Sequence, residues 1–143
     1  MLDGKIYLAG GYNGGYLNTV AVYDPTTNTW SAGPRMLTAR GYMGAAVLGG
    51  KLYVAGGDGG LAPLSSMEVF DPQTNAWTQL APMGTARKLF QLVAAQGKLC
   101  AVGGMTTGVN KVSSVEAYDP QQNRWEAAAP LSGPRIGHAI VAM

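Results

Sequence analysis

The chain writes the same pattern three times. Gly-Gly pairs begin at residues 10, 56 and 103, Asp-Pro pairs at 24, 71 and 119, and tryptophans stand at 30, 77 and 125. The glycine pairs are 46 and 47 residues apart and the tryptophans 47 and 48. Self-similarity at a period near 50 marks a repeat architecture, in which each unit buries its apolar face only against its neighbours. Three units follow, at about 1–48, 49–95 and 96–143 of the 143 residues.

Each unit is punctuated as a set of short strands. Lys5–Ala9, Lys51–Ala55 and Lys98–Val102 are β-rich runs stopped by the glycine pair, where a bend and close backbone approach leave no room for a Cβ. Loops of varied sequence follow (12–18, 58–65 and 105–113), then the runs Val20–Tyr23, Met67–Phe70 and Val115–Tyr118. Asp-Pro-x-x-Asn closes each run as a tight turn, since Asp suits the first position, Pro pre-sets φ and Asn tolerates a left-handed backbone. A tryptophan-bearing run comes next, ended by Pro34, Pro82 or Pro130. Arg40, Arg87 and Arg135 then each open a further apolar stretch: Tyr42–Leu48, Leu89–Ala95 and Gly137–Ala142. No stretch has the 3.6-residue period of a helix. Four short antiparallel strands per period predict a β-propeller blade.

Composition agrees with this. Charged residues make up 13% of the chain, 21 residues are glycine, and the net charge of +2 is too small to suggest a nucleic-acid binder. The one cysteine, Cys100, excludes an internal disulfide and points to a cytoplasmic setting. No run reaches the roughly 20 apolar residues of a membrane helix, so no membrane partner is expected.

The order of strand, Gly-Gly, loop, strand, Tyr/Phe-Asp-Pro, Trp, Pro and Arg resembles the kelch repeat over essentially the whole chain. Two positions depart from the pattern. Cys100 replaces the tyrosine found at 7 and 53, and Ala21 replaces the glutamate found at 68 and 116. The resemblance implies an all-β fold of four-stranded antiparallel kelch propeller blades. In it, strand a follows the arginine and lies innermost, and strand d carries the tryptophan. The chain then begins on strand b and ends on an orphan strand a over 136–142, and the middle blade is expected to be the only one completed without the ends. Closed propellers have about four to eight blades. Three blades are half of the six common among kelch proteins, and open blade faces with a free strand edge are an association liability. A homodimer is therefore expected, with strand a of each copy pairing with Lys5–Ala9 of the other. The alternative is a fragment, or an engineered self-assembling scaffold without a ligand of its own, which the bare Met1 start favours in part.

Catalytic chemistry finds little footing. The glycine-rich segments lead into strands, whereas phosphate loops work through a following helix N-terminus. His138 falls where the other units have Met43 and Phe90, so it reads as a core group. One histidine and one cysteine supply neither a zinc site nor an activated nucleophile. Copper oxidases of kelch-like fold use two histidines as well as tyrosines, and this chain has one histidine. The tryptophans and the Asp-Pro acids recur in every unit and so serve the unit. No cofactor, metal or catalytic residue is expected, and an enzyme is the least favoured reading.

The loops remain. Up-and-down strands put the b–c and d–a connections at one end of the blades. That end carries Arg35, Arg40, Arg87, Lys88, Lys111 and Arg135 against Asp58, a net +5, and the rest of the chain carries −3. A basic end of this kind attracts acidic protein or peptide partners. Glu68 and Glu116 are expected to pair with some of these arginines. In kelch-like ubiquitin-ligase adaptors, peptides are held at this end. Carried over residue by residue, the resemblance implies contacts from Tyr12, Asn13, Tyr16, Asp58, Met105, Asn110 and Lys111 in the loops. It implies further contacts from Arg40, Arg87, Lys88 and Arg135 where strand a opens, although the recurrence of Arg40, Arg87 and Arg135 in every unit also points to a structural share in their role. The expected function is a non-catalytic protein- or peptide-binding module.

Overall fold

The computed structural model describes residues 2–143; Met1, the first residue of the expected domain, lies outside them. Among the described residues, eleven strands form three antiparallel sheets. The first sheet is β1 (Ile6–Ala9), β2 (Val20–Asp24) and β3 (Thr29–Gly33). The second holds β4 (Gly44–Leu48), β5 (Lys51–Ala55), β6 (Met67–Asp71) and β7 (Ala76–Leu80) in sequence order. The third repeats it with β8 (Gln91–Ala95), β9 (Lys98–Val102), β10 (Val115–Asp119) and β11 (Arg124–Ala128). Each sheet is a propeller blade. Two of them are complete, not only the middle one, because β8 belongs with the strands that follow it.

Local chemistry sets each strand end. Asn28, Asn75 and Asn123 hold positive φ (54°, 53° and 47°) at the β2–β3, β6–β7 and β10–β11 turns. Asp24, Asp71 and Asp119 accept a hydrogen bond from the backbone two residues on, at 2.9 Å in each case, which closes the turn from its first position. The innermost strands begin at Gly44 and Gln91, two residues later than the sequence suggests. Tyr42 and Leu89 are the cause: their φ values of 55° and 56° turn the backbone away from strand geometry. The 136–142 stretch forms no strand, since no sheet edge of its own chain lies beside it.

Two apolar clusters fill the seams between blades. Tyr53, Met67, Phe90, Leu99 and Tyr118 anchor the one between the second and third blades. Val20, Met36, Val54, Phe70 and Trp77 anchor the one between the first and second. In every blade the tryptophan tilts against the preceding strand's aromatic ring, with centroids 5.2–5.4 Å apart. Trp77 and Trp125 also reach back one blade, where Nε1 donates to Pro34 O (2.9 Å) and Ala81 O (3.0 Å). Trp30 has no blade before it and is 57% exposed, against 8% for Trp77. The β1 edge is open in the same way, with Ile6 and Leu8 exposed.

Trp77→Ala removes a buried ring and a cross-blade hydrogen bond and is expected to cost about 3–5 kcal/mol. Trp30→Ala removes neither, and its expected cost in the isolated chain is below about 1 kcal/mol. Urea unfolding of the two variants checks this; equal losses would contradict the seam assignment.

Candidate functional site

The expected ligand residues separate into three groups by burial. Arg40 and Arg87 are fully buried. The Nη1 of Arg40 donates to Gly56 O (2.8 Å) and Ser66 O (3.0 Å), and its Nη2 donates to Ser66 Oγ (3.0 Å) and Glu68 Oε1 (2.7 Å). Arg87 repeats the set one blade on, donating to Gly103 O, Ser114 O, Ser114 Oγ and Glu116 Oε2 at 2.6–3.1 Å. The backbone of each arginine meanwhile holds the blade before: Gly11 N donates to Arg40 O and Gly57 N to Arg87 O, both at 2.9 Å. Each of these arginines therefore clasps two consecutive blades. A ligand-facing role for Arg40 and Arg87 is corrected to this one, because neither guanidinium reaches the surface.

The glutamates complete the clasp. Glu68 accepts from Leu37 N (2.6 Å) and Thr38 N (3.0 Å), and Glu116 from Gly84 N (2.6 Å) and Thr85 N (3.2 Å). Each carboxylate thus satisfies the connection between two blades as well as the arginine's charge, as a buried ion pair requires. The close approach also dictates glycine at 56. Its φ is 60°, and a Cβ there would lie 2.5 Å from Arg87 O.

The second group forms a cluster across three blades. Lys88 Nζ donates to Asp58 Oδ2 (2.5 Å), and Gly60 N donates to Asp58 Oδ1 (2.9 Å). Tyr16 packs on Gly41, where a Cβ would meet its ring at 3.2 Å, and Tyr12 stands edge-on to it at 5.2 Å. The Lys88 hydrogen bond, with that of Gly60, holds the Asp58 carboxyl below its ordinary value, and the same bond holds the Lys88 ammonium above its own. Burial and the Asp58 charge push the Tyr16 hydroxyl up. Met105 is half-buried and pairs its backbone with Lys88 and Lys111.

The third group is exposed. Asn13 and Asn110 stand on the 12–18 and 105–113 loops, and the side chains of Lys111 and Arg135 line one open hollow of about 460 Å³. The sequence alone overlooked four exposed apolar side chains at this end: Leu37, Tyr42, Leu61 and Val109. Large apolar residues within glycine-rich loops were the available signal. The +5 also shrinks, since Arg40 and Arg87 are neutralised inside and Lys88 is paired with Asp58. Arg35, Lys111 and Arg135 remain exposed.

His138 lies over Gly103, with Cε1 3.1 Å from the place of a Cβ. Met43 and Phe90 cover Gly10 and Gly56 in the same manner, so the ring fills an equivalent apolar position. Among the described residues, no three His, Cys, Asp or Glu side chains gather as a metal site, and no helix is long and apolar enough to cross a membrane.

Blades joined by repeated clasps, with loops of free sequence at one end, define a kelch-type propeller protein. Residues 1–141 match the family described as FKB95, Kelch-repeats domain, and the chain belongs to it. It is 48% identical over 60 residues to the mouse influenza virus NS1A-binding protein homolog, covering 41% of this chain and 9% of that protein. Human Kelch-like protein 33 is 43% identical over 60 residues, covering 41% and 11%. An F-box/kelch-repeat protein of Arabidopsis thaliana is 41% identical over 70 residues, covering 46% and 15%. These alignments span only 9–15% of the relatives.

Glu116→Ala strands a buried guanidinium and is expected to cost about 3–5 kcal/mol, while the double change Arg87→Met with Glu116→Leu recovers part of it, since Gly84 N and Thr85 N still lose their acceptor. Urea unfolding measures both. Asp58 carries a sign that pH can read. Its folded value lies below the ordinary 3.8, so its contribution is complete above that value and is lost as pH falls through the folded one. Asp58→Asn is expected to flatten this acid limb; an unchanged limb would mean the pairing adds no stability.

Proposed function

We propose that the chain is a non-catalytic protein- or peptide-binding module acting through the b–c/d–a loop face. The observation that carries this reading is the exposed apolar set of that face: Tyr12, Leu37, Tyr42, Leu61 and Val109. Apolar side chains clustered on rigid supports, with charges beside them, suit a partner that supplies matching side chains. Arg35, Lys111 and Arg135 add a bias toward acidic partners, smaller than the sequence count implies. The Tyr16–Asp58–Lys88 cluster stiffens the platform, and Asn13, Met105 and Asn110 border it. The printed name of one relative, influenza virus NS1A-binding protein, is consistent with protein recognition. The cytoplasmic setting is part of the same proposal.

The proposal extends to the ring. Two copies supply six blades, with the 136–142 segment of each beside the open β1 edge of the other. The exposed Ile6, Leu8 and Trp30 support it, since they are the groups that a preceding blade would cover.

An array of acidic peptides is expected to retain the wild-type chain, and Tyr12→Ala with Lys111→Ala to lower retention at least about fivefold. No enrichment, or enrichment indifferent to both substitutions, would leave a scaffold without a ligand. Light scattering is expected to give twice the chain mass; a well-behaved monomer throughout would refute the two-copy ring.

A further inference from the structure

The two internal clasps show what a third arginine in the same setting is built to hold. Arg135 occupies the position of Arg40 and Arg87, and the segment before it is anchored as theirs are. Leu131 N donates to Ser113 O (2.8 Å), as Met36 N does to Asn18 O (2.8 Å) and Met83 N to Ser65 O (2.9 Å). Gly104 N donates to Arg135 O (2.7 Å), as Gly11 N and Gly57 N do to the other two arginines. This fixes Ser132 and Gly133 where the internal clasps have Leu37 and Thr38, or Gly84 and Thr85, whose backbone N–H groups bind a glutamate. Yet Arg135 is exposed and takes part in none of the ion pairs of the described residues. With Lys111, Ser132 and Gly133 it lines the open hollow.

We propose that this hollow is a preformed carboxylate seat, made by the N–H groups of Ser132 and Gly133 and the Arg135 guanidinium, with Lys111 at its border. Its occupant is a glutamate side chain from strand c of an abutting kelch blade. The chemistry is that of Glu68 and Glu116, where two backbone donors and one guanidinium share one carboxylate. The first blade of this chain offers the other acceptors of such a clasp at Gly10 and Thr19, the counterparts of Gly56 and Ser66. At the glutamate position it has Ala21. A second copy therefore covers the face and leaves the seat empty. A blade bearing glutamate there is the matched partner, and Ala21 leaves the two-copy ring weaker than the seat allows.

The joining role rests on the ring reading; the seat itself does not. Two measurements on the full chain separate them. Titration of the wild-type chain with N-acetylglutamate, followed by backbone amide NMR, is expected to shift the Ser132 and Gly133 resonances saturably, and Arg135→Ala to abolish this. No shift, or a shift that survives Arg135→Ala, overturns the seat. Sedimentation equilibrium then compares wild type with Ala21→Glu, which supplies the missing carboxylate from half-buried β2. Ala21→Glu is expected to tighten the dimer at least about tenfold, Ala21→Gln to do less, and Arg135→Ala to erase the gain. A wild-type dimer that Ala21→Glu leaves unchanged overturns the joining role alone. Absence of association in both chains overturns the two-copy ring, and with it the role of Ala21 in weakening that ring.

Discussion

A buried arginine is the interaction on which this architecture depends. Each internal blade junction places one guanidinium, out of water, among two carbonyls, a serine hydroxyl and a carboxylate. A charge removed from water is costly unless it is opposed and most of its donors are met. The glutamate opposes the charge and takes one Nη2 bond. The carbonyls and the serine hydroxyl take the other Nη bonds, while Nε stays unpartnered. The carboxylate's remaining acceptor capacity satisfies the amides that start the crossover. The apolar clusters supply the larger part of the driving force. They tolerate changes of shape, whereas the clasp fixes how far one blade is turned and shifted against the next.

The two parts of the chain were legible to different degrees. The glycine pairs, the Asp-Pro-x-x-Asn turns and the tryptophans are local signals, and local signals fixed the blades. The pairing of Arg40 and Arg87 with Glu68 and Glu116 was expected from the sequence and is found, but their complete burial was not legible. An arginine between Ala39 and Gly41, or between Ala86 and Lys88, reads as a loop residue, and its carboxylate lies 28 or 29 residues ahead. Burial is a property of the assembled stack, so a basic cluster counted along the chain overstated the charge of the loop face. The late start of β4 and β8 was hidden for another reason. Tyrosine and leucine rarely adopt positive φ, and the turned residues are linked from blade to blade by hydrogen bonds from Leu89 N to Tyr42 O and from Gly137 N to Leu89 O, which no single unit's sequence displays.

The placement of the candidate contacts follows from the same division. Residues that recur in each unit are consumed in building the unit. Those that differ, such as Tyr12, Leu61 and Val109, are left at the surface. Tyr16, Asp58 and Lys88 fall between these classes. They come from three successive blades, so their mutual contacts exist only once the blades are stacked. A surface built this way gains its rigidity from the junctions beneath it rather than from its own loops.

The clasp also has a direction. The arginine carbonyl always faces the blade before and the guanidinium always faces the blade after. Contacts of this kind are head-to-tail, so the surface that leaves one molecule differs from the surface that receives it on the next. Such unlike faces give a closed circle when the accumulated turn reaches a full revolution and an open spiral when it does not. The tilt of one blade on its neighbour, set by an arginine no partner can touch, thus decides between a finite particle and a thread.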